Sequence, residues 1–223
     1  MIFPFRALRG AGALLLACSV GTIQAAAPAD DLAAVTASTG AARRDGAHLT
    51  LSLKAPAPAL TLSDRGDCST PDACTRYRFK GLSPNGQYAR VDVHGYEWGS
   101  QLWINRNTGR QTEVFADPVA SPSGRYLVVA NGADCCEENG VFIWEQQEDR
   151  LVPRFALRPK DYALYATVRW EDEQTVRLRR LARSTAACPH DDLMSTEVLL
   201  RRQGTTWRFV TPTPAVPPRC GVS

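Results

Sequence analysis

Three short stretches hold most of the residues that could do chemistry: His94-Gly95-Tyr96-Glu97-Trp98, Asp134-Cys135-Cys136-Glu137-Glu138 and His190-Asp191-Asp192. Clustered carboxylates of this kind suit Ca²⁺, and His190 with Cys136 would suit Zn²⁺. The spacing matches neither an EF-hand loop nor a zinc-ligand pattern. Nucleophilic catalysis finds no support either. There is no Gly-x-Ser-x-Gly elbow and no phosphate-cradling glycine loop, and His48, His94 and His190 lie in ordinary contexts. What remains is recognition. Tyr96, Glu97, Trp98, Asp134, Glu137, Glu138, His190, Asp191 and Asp192 are the expected partner-binding residues, because functional side chains favour loops on rigid scaffolds and aromatics are favoured anchors at interfaces. No catalytic residue, metal or cofactor is expected.

The ends of the chain say where such loops would operate. Arg6 and Arg9 precede an apolar run from Ala11 to Val20, and Gln24-Ala25-Ala26-Ala27 supplies small residues for cleavage, so residues 1–25 read as a secretory signal peptide. Leu15-Leu16-Ala17-Cys18 supports a second reading, a lipoprotein signal with Cys18 acylated, which would make the protein membrane-anchored. Without Arg6 and Arg9 the 26 basic residues become 24 against 23 acidic ones, which is no footprint for a nucleic-acid backbone. Cys68, Cys74, Cys135, Cys136, Cys188 and Cys220 form an even set, as expected of disulfides in an exported chain. Cys68 and Cys74 flank one short loop, whose closure would contribute roughly 2.4 kcal/mol. Cys188 is open to Cys220, a closure worth roughly 3.7 kcal/mol, or to one of the adjacent pair Cys135 and Cys136.

Positioning falls to β-structure. Leu49, Leu51 and Leu53 alternate with polar residues, as do Val91 and Val93, and short apolar runs recur at Leu102–Ile104, Tyr126–Ala130, Val141–Trp144, Leu151–Leu157, Val176–Leu181, Glu197–Arg202 and Trp207–Val210. Outside the signal, no segment carries a sustained helical stripe. Residues 26–45 read as a flexible leader, 46–211 as the domain, and 212–223 as a Pro-rich tail anchored by Cys220. Trp103, Trp144, Trp170 and Trp207 fall in strands and are expected in the core, while Arg177 and Arg179 are expected on a solvated strand face.

One phrase occurs twice, Ser83-Pro84-Asn85-Gly86-Gln87-Tyr88 and Ser121-Pro122-Ser123-Gly124-Arg125-Tyr126, each followed by an apolar strand, a loop and a strand containing Trp. Pro presets the turn and Gly takes the positive φ. In a third, degenerate unit, Val168-Arg169-Trp170-Glu171-Asp172 stands in the place of the phrase. Repeats of this length point to stacked sheet units. With Asn107-Thr108-Gly109-Arg110 after the first, the pattern resembles the WD-like β-propeller repeats of bacterial envelope proteins, such as those of the periplasmic Tol system. The resemblance implies an all-β fold of blade-like antiparallel sheets, a small or incomplete β-propeller of about three to four units. Equivalent loops at 94–99, 131–140 and 183–195 would then share one face.

The expected protein is exported, periplasmic or secreted, and non-enzymatic, with another envelope or secreted protein as its partner. An inhibitor or immunity protein against a secreted wall-attacking enzyme fits the acidic, aromatic loops. The rivals are an envelope hydrolase using acidic loop residues and a lipid-anchored assembly factor.

Overall fold

Short strands separated by tight turns can pair with their chain neighbours, and they do so throughout. A computed structural model describes residues 29–68, 74–133, 138–183, 188 and 193–221, which form one helix and four antiparallel sheets. The first sheet contains β1 (Ala42–Asp45), β2 (His48–Leu51) and β3 (Leu60–Ser63). The second contains β4 (Arg76–Leu82), β5 (Tyr88–His94), β6 (Gly99–Asn105) and β7 (Gln111–Glu113). The third is β8 (Val119–Ala120), β9 (Tyr126–Asn131), β10 (Gly140–Gln146) and β11 (Leu151–Leu157); the fourth is β12 (Leu164–Asp172), β13 (Thr175–Arg183), β14 (Leu193–Gln203) and β15 (Thr206–Val210). Within each sheet the spatial order follows the chain. Pro153 is accommodated because β11 is an edge strand, beside a register shift in β10.

The repeated phrase is the turn between the first two strands of the second and third sheets, and its serine closes it. Ser83 Oγ accepts the Tyr88 N–H at 3.0 Å, and Ser121 Oγ accepts the Tyr126 N–H at 3.1 Å. Gly86 and Gly124 adopt φ of 65° and 76° and donate their N–H groups to the same serines' carbonyls, each at 2.8 Å. Asn85 accepts the Ser83 hydroxyl within the first turn at 2.7 Å. In the second turn Glu173, from the fourth sheet, takes that role: it accepts the Ser121 and Ser123 hydroxyls at 3.0 and 2.8 Å and the Ser123 N–H. Glu173 and Gln174 themselves form the β12–β13 turn. The expected counterpart of the phrase, Val168–Asp172, instead belongs to β12. It keeps extending because its residues pair along β13.

Burial pushes the Glu173 carboxyl up, but the Ser123 and Ser121 hydrogen bonds and the Arg125 charge outweigh it and hold the group below its usual value. A depressed carboxylate stabilises the fold above the unfolded pKa, near 4.3, and loses that contribution as pH falls through the folded value. Stability measured by urea unfolding should therefore fall below about pH 4.3, and less steeply in Glu173→Gln. Equal slopes in the two proteins would remove Glu173 from the account.

Alternation distributes each central strand between two cores. In β9 and β10, Tyr126, Val128, Val141 and Ile143 pack toward the fourth sheet, while Leu127, Val129, Phe142 and Trp144 pack toward the second. Ala89, Val91 and Ile104 of the second sheet meet Leu49, Leu51 and Leu62 of the first, whereas Tyr88 and Trp103 face the third. Both faces of β9 and β10 are thus buried, which is why these two strands read as near-continuous apolar runs. The end sheets turn polar faces outward. Thr50 bonds Thr61 and His48 bonds Ser63 on the first, and Arg177 pairs with Glu171 and Glu197 on the fourth. Among the described residues, no buried cluster joins the first sheet to the fourth. Trp103, Trp144 and Trp207 are buried as expected, and Trp170 packs at the rim of the core between the third and fourth sheets.

Part of the expected leader is built into the fold. Residues 29–45 carry helix α1 (Ala29–Ala37) and β1, held down by a buried ionic knot. Asp31, in the first turn of α1, is fully buried; its Oδ1 accepts the Phe79 N–H at 2.7 Å and its Oδ2 lies 3.1 Å from Arg44 Nε. Arg44 Nη2 also donates to Asp64 at 3.1 Å and to the Tyr77 carbonyl at 2.7 Å. The helix has almost no apolar stripe, so charge satisfaction rather than amphipathicity secures it.

Among the described residues two disulfides close, Cys68–Cys74 and Cys188–Cys220, with Cα atoms 5.1 and 5.7 Å apart. Bonding to Cys220 overturns the alternative in which Cys188 pairs with Cys135 or Cys136, since a sulfur can hold only one such partner. The second disulfide also staples the Pro-rich tail, whose Arg219 bridges to Ser195 of β14. Such bridges suit an oxidising compartment. No described helix is long and apolar enough to cross a membrane. The expected signal segment, Cys135 and Cys136 lie outside the described residues.

Candidate functional site

The β5–β6 hairpin pairs His94 with Gly99 and leaves Gly95 to Trp98 as its turn. The Gly95 N–H donates to the Trp98 carbonyl at 2.8 Å, closing it. A Cβ on Gly95 would lie 2.0 Å from Trp98 Nε1, so the indole rests directly against the glycine. Trp98 is thereby held by backbone yet remains 42% exposed, and Tyr96 is equally exposed. A rigid exposed aromatic pays little rotamer entropy on binding, which is the property of an interface anchor.

Below this turn a polar network shapes the floor. Gln101 is only 2% exposed; its Nε2 donates to Asp92 Oδ1 at 2.9 Å and to Asp117 Oδ1 at 2.6 Å, while its Oε1 accepts Trp103 Nε1–H at 2.6 Å. One buried amide thus sets the separation of two carboxylates. Lys80 Nζ lies 3.5 Å from Asp92 Oδ2. Burial, followed by the charges of Arg78 and Lys80, lowers the His94 pKa against the opposing pull of Asp92 and Asp30. Asp92, His94, Asp117 and the turn line an open cleft of about 400 Å³.

Trp98 and Phe115 also wall a second cavity of about 550 Å³, closed on its far side by Glu138, Asn139 and Arg158 from the third sheet. Arg158 Nε donates to Glu138 Oε2 at 2.8 Å, and its guanidinium lies 5.1 Å from the Phe142 ring centre. Phe115 holds φ at 64°, a region costly for a bulky residue, with its ring 4.7 Å from that of Phe142. Asn139 in turn lines a third cavity with Ala133, Arg183 and Leu193, which bracket the second and third loops.

Of the expected binding residues, Tyr96, Glu97, Trp98 and Glu138 are therefore gathered at one end of the second and third sheets. Asp134, Glu137, His190, Asp191 and Asp192 lie outside the described residues. Three residues of the site were not anticipated from sequence: Asp92, Gln101 and Asp117. A usable signal existed for two of them. Counting back from a Gly95–Trp98 turn pairs position 94 with 99, 93 with 100 and 92 with 101, which places Asp92 opposite Gln101 on one face. Asp117 follows β7 in an irregular segment and has no such periodic marker.

Among the described residues, no three His, Cys, Asp or Glu side chains converge as metal ligands. The site offers aromatic faces for stacking and carboxylates for cationic or hydrogen-bond-donating groups, with Arg158 already engaged by Glu138. No family model, curated protein or solved structure matches the chain.

Proposed function

We propose that this chain is an exported, non-enzymatic binding protein of the cell envelope, and that the Trp98 end of its sheets docks a basic partner protein. The observation that carries the reading is Trp98 itself: a large aromatic locked against Gly95, exposed, and bordered by Glu97, Asp117 and Glu138. The scaffold is read as a small, incomplete propeller of four blade-like units. Four consecutive meanders packed face to face in chain order support that reading. An inhibitor or immunity protein against a wall-attacking enzyme suits the compartment and the surface charge. An acidic face accelerates encounter with a basic partner and makes the rate salt-dependent.

The test begins by capturing a stoichiometric partner from periplasmic extract with the mature protein. Trp98→Ala should then weaken binding by about 2 kcal/mol, roughly thirtyfold, as loss of an interfacial hot spot does. Gly95→Ala should weaken it comparably although it removes no contact atom, because its methyl group displaces the indole. Both variants keeping wild-type affinity while folded would discard the docking surface.

One observation favours a second reading, an envelope hydrolase: the Asp92 and Asp117 carboxylates meet at a single amide in an open cavity, and a carboxylate pair is what glycoside hydrolysis needs. Turnover of a wall glycan that Asp117→Asn abolishes would replace the binding reading.

A further inference from the structure

A different cluster lies at the other end of β9 and β10, where the β8–β9, β10–β11 and β14–β15 turns converge. Glu145 of β10 is clamped by two guanidiniums. Arg125 approaches its Oε1 with Nε at 2.7 Å and Nη2 at 2.6 Å, and Arg154 approaches its Oε2 at the same two distances. Each clamp uses the Nε–H and one Nη2–H. A guanidinium has five N–H donors, so both arginines keep donors to spare, and their side chains are 57% and 40% exposed.

Arg202 completes the cluster. Its Cζ lies 5.5 Å from the Tyr126 ring centre, and Arg125 lies 5.3 Å from the same ring, so the aromatic orients both cations. Among the described residues, no carboxylate stands within ion-pair distance of Arg202. Together with Thr205 and Trp207 these groups line a cavity of about 310 Å³. Three guanidinium charges face Glu145, whose two oxygens are already engaged, and Arg125 also feels the Glu173 carboxylate at the edge of the cluster, which leaves a net positive charge.

We propose that this cavity is a binding site for an oxyanion, a phosphate or sulfate group, held by Arg125, Arg154 and Arg202. The net positive charge attracts an anion, and guanidiniums bind oxyanions by paired hydrogen bonds. Glu145 acts as a positioning residue, fixing two arginines before the ligand arrives, while Tyr126 fixes the third. The proposal is independent of the Trp98 surface, since the two lie at opposite ends of β9 and β10.

Titration of the mature protein with sodium phosphate, sodium sulfate or glycerol phosphate, each against sodium chloride at matched ionic strength, tests it by NMR. Saturable shifts of the arginine Nε–H and Trp207 indole signals are expected with the oxyanions and not with chloride. Tighter binding of the ester than of inorganic phosphate supports the site and assigns it to a phosphorylated solute; equal binding supports it and assigns it to the free anion. Arg202→Gln should weaken binding by at least about tenfold, while Arg179→Gln, on the exposed face of β13, leaves it unchanged. Shifts that fail to saturate, that chloride reproduces, or that persist in a folded Arg202→Gln protein overturn the site.

Discussion

Arg44→Met is expected to destabilise the protein by about 3–5 kcal/mol, the cost of breaking a buried ion pair from one side. The guanidinium is almost wholly buried and serves Asp31, Asp64 and the Tyr77 carbonyl together. Methionine fills much of its volume but leaves the fully buried Asp31 with one backbone hydrogen bond and no counter-charge. Because Asp31 belongs to α1 and Phe79 to β4, release of the helix from the second sheet should follow. Urea unfolding measures the loss, and hydrogen exchange in residues 29–37 locates it. The double variant Asp31→Asn/Arg44→Met should recover a substantial part, since the uncompensated charge is gone. A loss below about 1 kcal/mol in the single variant would put the knot on the footing of a surface pair.

Trp103→Ala is expected to cost a similar amount, about 3–5 kcal/mol, for a different reason. The indole is buried between the second and third sheets, 5.7 Å from the Tyr88 ring, and its removal leaves a void that rigid strands on both sides cannot collapse into. It also strips Gln101 of a hydrogen-bond donor. Trp103→Phe separates the two effects: it restores most of the packing while still leaving Gln101 Oε1 unpaired. Its stability should return most of the way, whereas the spacing of Asp92 and Asp117, and with it affinity at the Trp98 end, should remain impaired. Thermal melts with a binding assay decide between them. Full recovery of affinity in Trp103→Phe would show that Gln101 needs no help from the indole.

These two sites differ in how visible they are in the chain. Trp103 sits in an apolar run beside a turn signal, and its burial follows from strand periodicity alone. Asp31 and Arg44 look like solvated charges in an Ala-rich leader. Nothing local marks them, because a charge is tolerated inside only when a distant partner arrives, here from 13 and 33 residues away. The Ser-Pro turns show the same division. The first copy satisfies itself through Asn85, whereas the second depends on Glu173, 50 residues onward, which no inspection of the phrase reveals.

The sequence by itself determined the all-β class, the strand positions around the repeated turns, the burial of most tryptophans, the Cys68–Cys74 bridge and the placing of Tyr96, Glu97 and Trp98 on a hairpin turn. Each of these rests on interactions between residues close in the chain: alternation, turn dihedrals, short loop closure. Tertiary structure alone decided the stacking of four sheets through three cores, the ordered helix ahead of β1, the choice of Cys220 by Cys188, and the amide that spaces Asp92 from Asp117. Those depend on contacts between segments far apart in sequence, where many pairings satisfy the same local pattern and packing of the whole molecule selects one.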